Sequence, residues 1–260
     1  MIKPRLLLSR RQLVVSSAAT LILGGCDRLS AAPTFQQFLA TAEGLTYRSH
    51  RTLIGREALA REYGPKDISK VFHPNGSQDA YNLSPEHLEH ARDNYARWRL
   101  QVGGLVMRPA SFSLADLRAM NPRTQITRHD CVEGWSCIGG WTGPPLSAVL
   151  GRVGLRPEAR FIVFYCADEQ LRYMEGTRTY YESIDLIDAF HPQTILAYEM
   201  NGTPLPLAYG APLRLRVERQ LGYKMAKFIT RIEAVNRLDN IRGGKGGYWE
   251  EEGYEWYAGI

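Results

Sequence analysis

At 260 residues, 44% hydrophobic and 23% charged, the chain can build one sizeable core or two small ones and lacks the polar bias of a disordered protein. The formal charge is +5 at pH 7, but Lys3, Arg5, Arg10 and Arg11 carry four of those charges and no acid precedes Asp27. Without its first 25 residues the chain stands at +1, which gives nucleic-acid binding no support.

The N-terminus reads as a targeting segment, 1–26: a basic start, the Arg10-Arg11 pair and an apolar stretch from Leu13 to Leu23 that is short for a membrane span. Ser9 to Val14 looks like a twin-arginine export signal, and Leu23-Gly24-Gly25-Cys26 resembles a lipobox. The expectation is a periplasmic protein exported by the twin-arginine route. Either lipidation at Cys26 tethers it to the outer face of the inner membrane or the segment stays as a signal anchor. Cys131, Cys137 and Cys166 then remain, an odd number in an oxidising compartment, so at least one thiol needs a purpose other than a disulfide.

Residues 27–72 are polar, with helix-like pieces such as 56–62, and read as an arm wrapped on the main body, 73–240. Ser84-Pro85 is an N-cap followed by proline at the first helical position, which predicts a helix ending near Trp98. Trp98, Leu100 and Val102 alternate as in a half-buried strand ending at Gly103-Gly104, and Ser113 to Leu117 suggests a short capped helix. A strand over 126–132, a helix over 146–153 closed by Gly154 and a buried strand over 160–165 follow. Tyr180-Tyr181 precede what reads as a helix start at Glu182, one phenol packing and the other facing a cleft. The last third turns to strands over 194–200, 213–217 and 227–235, with Asn201-Gly202 as a turn. The aromatic tail, 241–260, is expected to dock on the core rather than stack on a ligand. Together the elements predict an α+β fold with mixed sheets and short helices.

Cys131 lies in Arg128-His129-Asp130-Cys131-Val132-Glu133-Gly134-Trp135, where a nearby cation would favour thiolate and the glycine permits close approach of a ligand. Such a thiolate is a nucleophile or a soft metal ligand, and a buried, inert thiol is the bland alternative. No CxxC, HExxH or GxGxxG occurs, so zinc and dinucleotide chemistry start poorly. His129 suits a cofactor group, whereas His191 beside Pro192 suits a turn. Arg214 and Arg216, two apart on a strand, share one face, either clamping a phosphate or lying in solvent. Gly222 to Lys227 offers amides and two lysines to an anion.

These segments, over 75–235, resemble the oxidoreductase molybdopterin-binding domain of the sulfite oxidase superfamily. The likeness is strongest in Cys131-Val-Glu-Gly-Trp-Ser136 followed by Trp141-Thr-Gly-Pro-Pro-Leu146, and in Ile195 to Gly202 running on to Gly210-Ala-Pro-Leu-Arg214. The resemblance implies a sulfite-oxidase-type fold, a molybdenum-molybdopterin cofactor and Cys131 as molybdenum ligand. It assigns Arg214 to the cofactor phosphate, and Met225, Ala226 and Lys227 to the pterin. Asn75, Gln78 and Asp79 would form an earlier pterin loop, with His129 also at the cofactor. Cys166 and Tyr209 stand where the methionine sulfoxide reductase branch carries threonine and asparagine, at positions that contact the cofactor. Tyr180 resembles the active-site tyrosine of sulfite oxidases, and Arg128 is the nearest candidate for substrate binding.

The implied activity is oxygen-atom transfer to or from a small sulfite-, sulfoxide- or N-oxide-like substrate. Electrons would be exchanged with a separate membrane or periplasmic carrier, by analogy a b-type cytochrome. Two rivals stay open: a membrane-tethered pterin-domain partner without turnover, and a metal-free cysteine-nucleophile enzyme.

Overall fold

A computed structural model describes residues 32–78, 80–172 and 176–260, so the targeting segment and Asp79 lie outside the described residues. The chain divides into two units, with the boundary between Leu53 and Ile54. In the first, helix α1 (Pro33–Leu53) opens on proline and carries Arg51 in its last turn, a cation that suits the negative end of its dipole. No described helix is long and apolar enough to cross a membrane.

The helix-like piece at 56–62 is not helical. Its backbone is claimed by distant partners instead: Gln193 bonds both the amide and the carbonyl of Ala60, and Glu62 bridges to Thr127. Tertiary hydrogen bonds thus override a weak local preference. Residues 54–72 belong to the larger unit, and Phe72 enters its core.

The larger unit contains three sheets. Strands β1 (Arg99–Gly104), β2 (Ala110–Ser113), β5 (Phe161–Arg172), β6 (Gly176–Asp185) and β11 (Ile229–Val235) form a five-stranded sheet ordered β2-β1-β11-β5-β6. Only the β1–β11 pair is parallel. A second, antiparallel sheet joins β3 (Arg123–Asp130), β4 (Ser136–Gly143), β8 (Glu199–Met200) and β9 (Thr203–Pro204). The third is the pair β7 (Ile195–Ala197) and β10 (Arg214–Arg216). This mixture of sheets with short helices is the expected α+β architecture.

Helix α2 (Pro85–Arg92) starts where its cap predicts but stops early, because Asn94 and Tyr95 take positive φ angles of 51° and 60°. Helix α3 (Leu114–Arg118) has a full capping box between Ser113 and Asp116. Helix α4 (Leu146–Val153) buries Leu146, Val149, Leu150 and Val153, one apolar stripe worth about 1.5–3 kcal/mol per side chain. Two short helices complete the chain, α5 (Leu186–Ala189) and α6 (Tyr248–Glu251).

The segment after Tyr180 is strand β6 rather than a helix start, and Tyr180 to Ile184 are all buried. A strand buried on both faces needs two covers. The main core and the tail supply them together, the tail reaching both faces: Tyr248 stacks on Tyr180 at 5.6 Å, and Trp256 Nε1 donates to Ser183 Oγ at 2.9 Å. Beneath the tail Lys224 Nζ donates to Glu182 Oε1 and Glu250 Oε1, both at 2.5 Å, with all three side chains at most 1% exposed. Burial, then the Glu250 charge, push the Glu182 carboxyl well above its usual range.

Replacing Lys224 by methionine leaves two facing carboxyls without their cation. Denaturant unfolding should show a loss of about 3–5 kcal/mol, and limited proteolysis should release the tail first. A second expectation concerns His191, whose Nε2 faces Ala58 O at 3.1 Å while its Nδ1 accepts from Gln193 N at 3.2 Å. That arrangement suits only the neutral ring, and burial holds His191, like His87, below the ordinary value of 6.5. The unfolded chain therefore binds more protons below pH 6.5. Stability is complete above that pH and falls beneath it, by up to about 1.4 kcal/mol per pH unit for each ring. Unfolding measured at pH 7 and pH 5.5 checks this, and His191→Gln should flatten part of the slope.

Candidate functional site

Cys131 follows the last residue of β3 and opens the loop that returns the chain to β4. Cys131 N donates to Trp135 O at 2.9 Å, and Gly134 N donates to Cys131 O at 3.0 Å. The loop needs φ +88° at Gly134, a conformation side chains resist. The strand expected over 126–132 therefore ends one residue before the thiol. A cysteine on a tight loop can face a cavity in a way that a mid-strand cysteine in a packed sheet cannot.

The cavity in front of it holds about 670 Å³ of empty space, counting its open mouth. One wall is the Cys131, Val132, Glu133 loop, another is Asn75, Gly76 and Ser77. Asp168 and Tyr180 contribute from the five-stranded sheet, and Gly222, Tyr223, Met225 and Lys227 close the floor. Trp249 and Tyr254 from the tail complete it. Tyr180 donates its hydroxyl to Tyr223 O at 2.6 Å.

Among the described residues no cation acts on the thiol. Side chains alternate along β3, so His129 points inward while Arg128 points out, where it pairs with Asp130 at 2.8 Å. This overturns the expectation of a nearby cation and removes Arg128 from the cavity. Beside Cys131 Sγ lies the Glu133 carboxylate at 3.7 Å, itself accepting from Trp135 Nε1 at 2.8 Å. Burial pushes the thiol above its ordinary range and the Glu133 charge adds to the push, against the pull of the Glu133 and Val132 amides. Cys131, Cys137 and Cys166 are all unbridged.

Beneath the floor lies a cluster of buried positive charge. Arg214 and Arg216 share one face of β10 and sit over the Trp141 indole at 4.8 and 4.4 Å. They are fully buried, which overturns the solvated-face alternative. Arg216 is satisfied: Glu218 takes it bidentately at 2.9 and 2.6 Å, and His129 Nδ1 accepts at 3.1 Å. Arg214 is not, for its Nη1 donates to Tyr209 O at 3.1 Å while Nε and Nη2 have no partner. Burial, then the Arg216 charge, pull its pKa down to about 9.

His129 Nε2 is also buried without a partner. Gly222 lies against this ring, where a Cβ would come within 2.5 Å of Nε2. Met225 Sδ lies 3.2 Å from His129 Nδ1, so the floor rests directly on the histidine. Ala226 is buried and its carbonyl accepts from Leu215 N at 2.8 Å, tying the floor to β10. Lys227 Nζ is held by the carbonyls of Asn75, Ser77 and Ala208, so it clamps the 75–77 wall rather than reaching into open space. Burial and the Arg214 charge hold it down to about 7.

Of the residues expected at the site, Cys131, Tyr180, Asn75, Met225 and Lys227 line the cavity, and His129, Arg214 and Ala226 lie around or beneath its floor. Four stand elsewhere, Arg128 on the outer face of β3 among them, and Asp79 lies outside the described residues. Gln78 is exposed and bonds Pro74 O, and Tyr209 donates to Phe72 O at 2.7 Å. Cys166 lines a separate cleft together with His87 and Arg231. Asp168, Trp249 and Tyr254 are cavity residues without an expected role. Asp168 was legible as a carboxylate closing an apolar strand run, whereas the tail gave no positional signal beyond its ring content.

Residues 87–240 match the family described as the oxidoreductase molybdopterin binding domain. The chain is similar to YedZ1 of Azospira oryzae, 42% identical over 63% of this chain and 56% of that protein. It is also similar to the protein-methionine-sulfoxide reductase catalytic subunit MsrP of Xanthomonas axonopodis pv. citri, 39% identical over 54% of this chain and 46% of that one. The chain thus spans about half the length of these relatives. Among solved structures the sulfane dehydrogenase SoxCD from Paracoccus pantotrophus aligns with a TM-score of 0.48 and 22% identity, over 55% of this chain and 39% of that one. With the family matched across more than half its length, the chain belongs to the oxidoreductase molybdopterin binding domain family and carries its sulfite-oxidase-type α+β fold.

Proposed function

We propose that the Cys131 cavity binds the molybdenum-molybdopterin cofactor of this family and reduces a small, uncharged oxo substrate such as a sulfoxide. The observation that carries the reading is the Arg214 guanidinium, fully buried with two nitrogens unpartnered beside an uncompensated charge cluster. A buried cation without an anion costs several kcal/mol, and a phosphate-bearing group would supply one. Among the described residues no three His, Cys, Asp or Glu side chains converge to hold a metal ion. Cys131 therefore suits a metal that arrives on its own organic ligand, with one soft protein thiolate completing the set.

In this reading Arg214 and His129 hold the anionic end, and the Gly222 to Lys227 floor supports the pterin. When bound, the cofactor supplies a two-electron site for oxygen-atom transfer. The overall reaction, sulfoxide plus two electrons and two protons giving thioether and water, leaves this chain to bind substrate and handle protons. Glu133 Oε2 is the proton-accepting group beside Cys131 Sγ, and Tyr180 holds its proton toward Tyr223 O.

The sulfoxide preference has two supports. A relative is named as a methionine-sulfoxide reductase, and no arginine among the described residues lines the cavity to bind an oxyanion such as sulfite. The metal-free nucleophile reading weakens, because a thiol kept protonated by burial beside a carboxylate attacks poorly. Electrons come from a separate carrier, and a membrane cytochrome partner, twin-arginine export and tethering at Cys26 complete the proposal.

Loading and turnover test the reading. Holoenzyme should contain about one molybdenum per chain and reduce sulfoxides, and metal-free protein as isolated from a molybdenum-replete host would overturn it. Cys131→Ser should abolish the thiolate-to-metal absorption while leaving the unfolding midpoint unchanged, so an unaltered visible spectrum would contradict the ligand assignment. Arg214→Met should lower molybdenum and pterin content at least about tenfold. Its cofactor-free form should be no less stable than native apoprotein, since an unpaired buried charge is removed.

A further inference from the structure

We propose that Trp249 and Tyr254 form the substrate-selecting wall of the Cys131 cavity, gripping the apolar arms of an uncharged oxo substrate; this rests on the sulfoxide reading above. Both lie on the tail, beyond the segment 87–240 that the family matches. The two rings stack on each other with centroids 5.2 Å apart, and Tyr223 meets Tyr254 edge-on at 5.3 Å. They therefore act as one aromatic surface lining the same cavity as the Cys131 loop.

Trp249 packs partly against the main core, but other tail residues make the direct contacts to β6. Tyr248 stacks on Tyr180 and Trp256 bonds Ser183, whereas Tyr254 stays 38% exposed and Trp249 half-buried. Two rings left accessible at a cavity, on a segment held rigidly, are a preformed contact for apolar groups. The rigidity comes from each side of the pair. Glu250 is locked onto Lys224, Tyr223 donates its hydroxyl to Glu255 O at 2.6 Å, and Leu221 N donates to Ala258 O at 2.9 Å. Together with exposed Val132, the rings give the cavity an apolar side that would favour bulky alkyl or aryl arms over small polar ones.

Binding of two non-reducible sulfones to holoenzyme, followed by tryptophan fluorescence, tests the wall separately from turnover. Methyl phenyl sulfone should quench the native protein saturably, and Trp249→Phe should remove most of that quenching. In Trp249→Ala/Tyr254→Ala its Kd should rise about tenfold while that of dimethyl sulfone changes less than about threefold, with native molybdenum content. Tyr254→Ala alone, at an exposed position, should raise the methyl phenyl sulfone Kd about threefold and serves if the double variant does not fold. Absent quenching, unchanged affinity, or equal losses for both sulfones would overturn the proposal. A native enzyme that shows the quenching pattern yet reduces no sulfoxide would sink the oxygen-transfer reading and leave the wall standing.

Discussion

A guanidinium sealed in the protein without an anion of its own is the constraint from which the site follows. Strand geometry puts Arg214 and Arg216 on the same face, and Trp141 accepts both over its indole. Glu218 can neutralise only one of them, and it grips Arg216. Burial first, and then the arginine charges, lower the basicity of His129 and Lys227. Lys227 answers by donating to three backbone carbonyls, and in doing so positions the 75–77 wall of the cavity. An unpaired cation, a bare histidine nitrogen and a glycine pressed against that histidine are hard to account for as packing, and are what a phosphate-bearing ligand would complete.

The thiol belongs to a different electrostatic setting from the one its neighbours suggest on paper. Arg128 and His129 are adjacent in sequence, yet the period of two along a strand sends one outward and the other inward. Cys131 is left beside a carboxylate, where its proton is held. Such a sulfur is quiet as a nucleophile, and a bound metal cation, by favouring the thiolate, would give it a purpose.

Much of the fold was legible because the local signals agreed with the tertiary outcome. Ser84-Pro85, the Ser113 to Asp116 box and the Leu146 to Gly154 stripe each carry their own cap or period, and each became a helix at the expected start. The failures have a common cause in long-range partners. Residues 56–62 read as helix until Gln193 claims the backbone of Ala60 and Glu62 bridges to Thr127, and the segment from Glu182 reads as a helix start because core and tail together bury both faces of the strand. The residues that carry a motif, Cys131, Arg214 and Met225 to Lys227, are singled out in the sequence and lie at or around one cavity. Trp249 and Tyr254 are not singled out, since a ring that packs and a ring that lines a cavity look alike in a string of letters.

The tail is where shared and particular chemistry meet. Lys224 lies in the family-matched segment, and Glu182 on β6 alone would neutralise it. Glu250 adds a second carboxylate from outside that segment, and two acids around one buried ammonium are neutral only if one keeps its proton. Burial, and then the Glu250 charge, push the Glu182 carboxyl upward while Lys224 pulls against them. A hydrophobic contact would dock a tail at less electrostatic cost, but it would tolerate sliding by a residue or more. A fully desolvated ion triad does not, because any displacement strands a charge. Fixing α6 in register fixes Trp249 one residue before Glu250, and with it one aromatic face of the cavity.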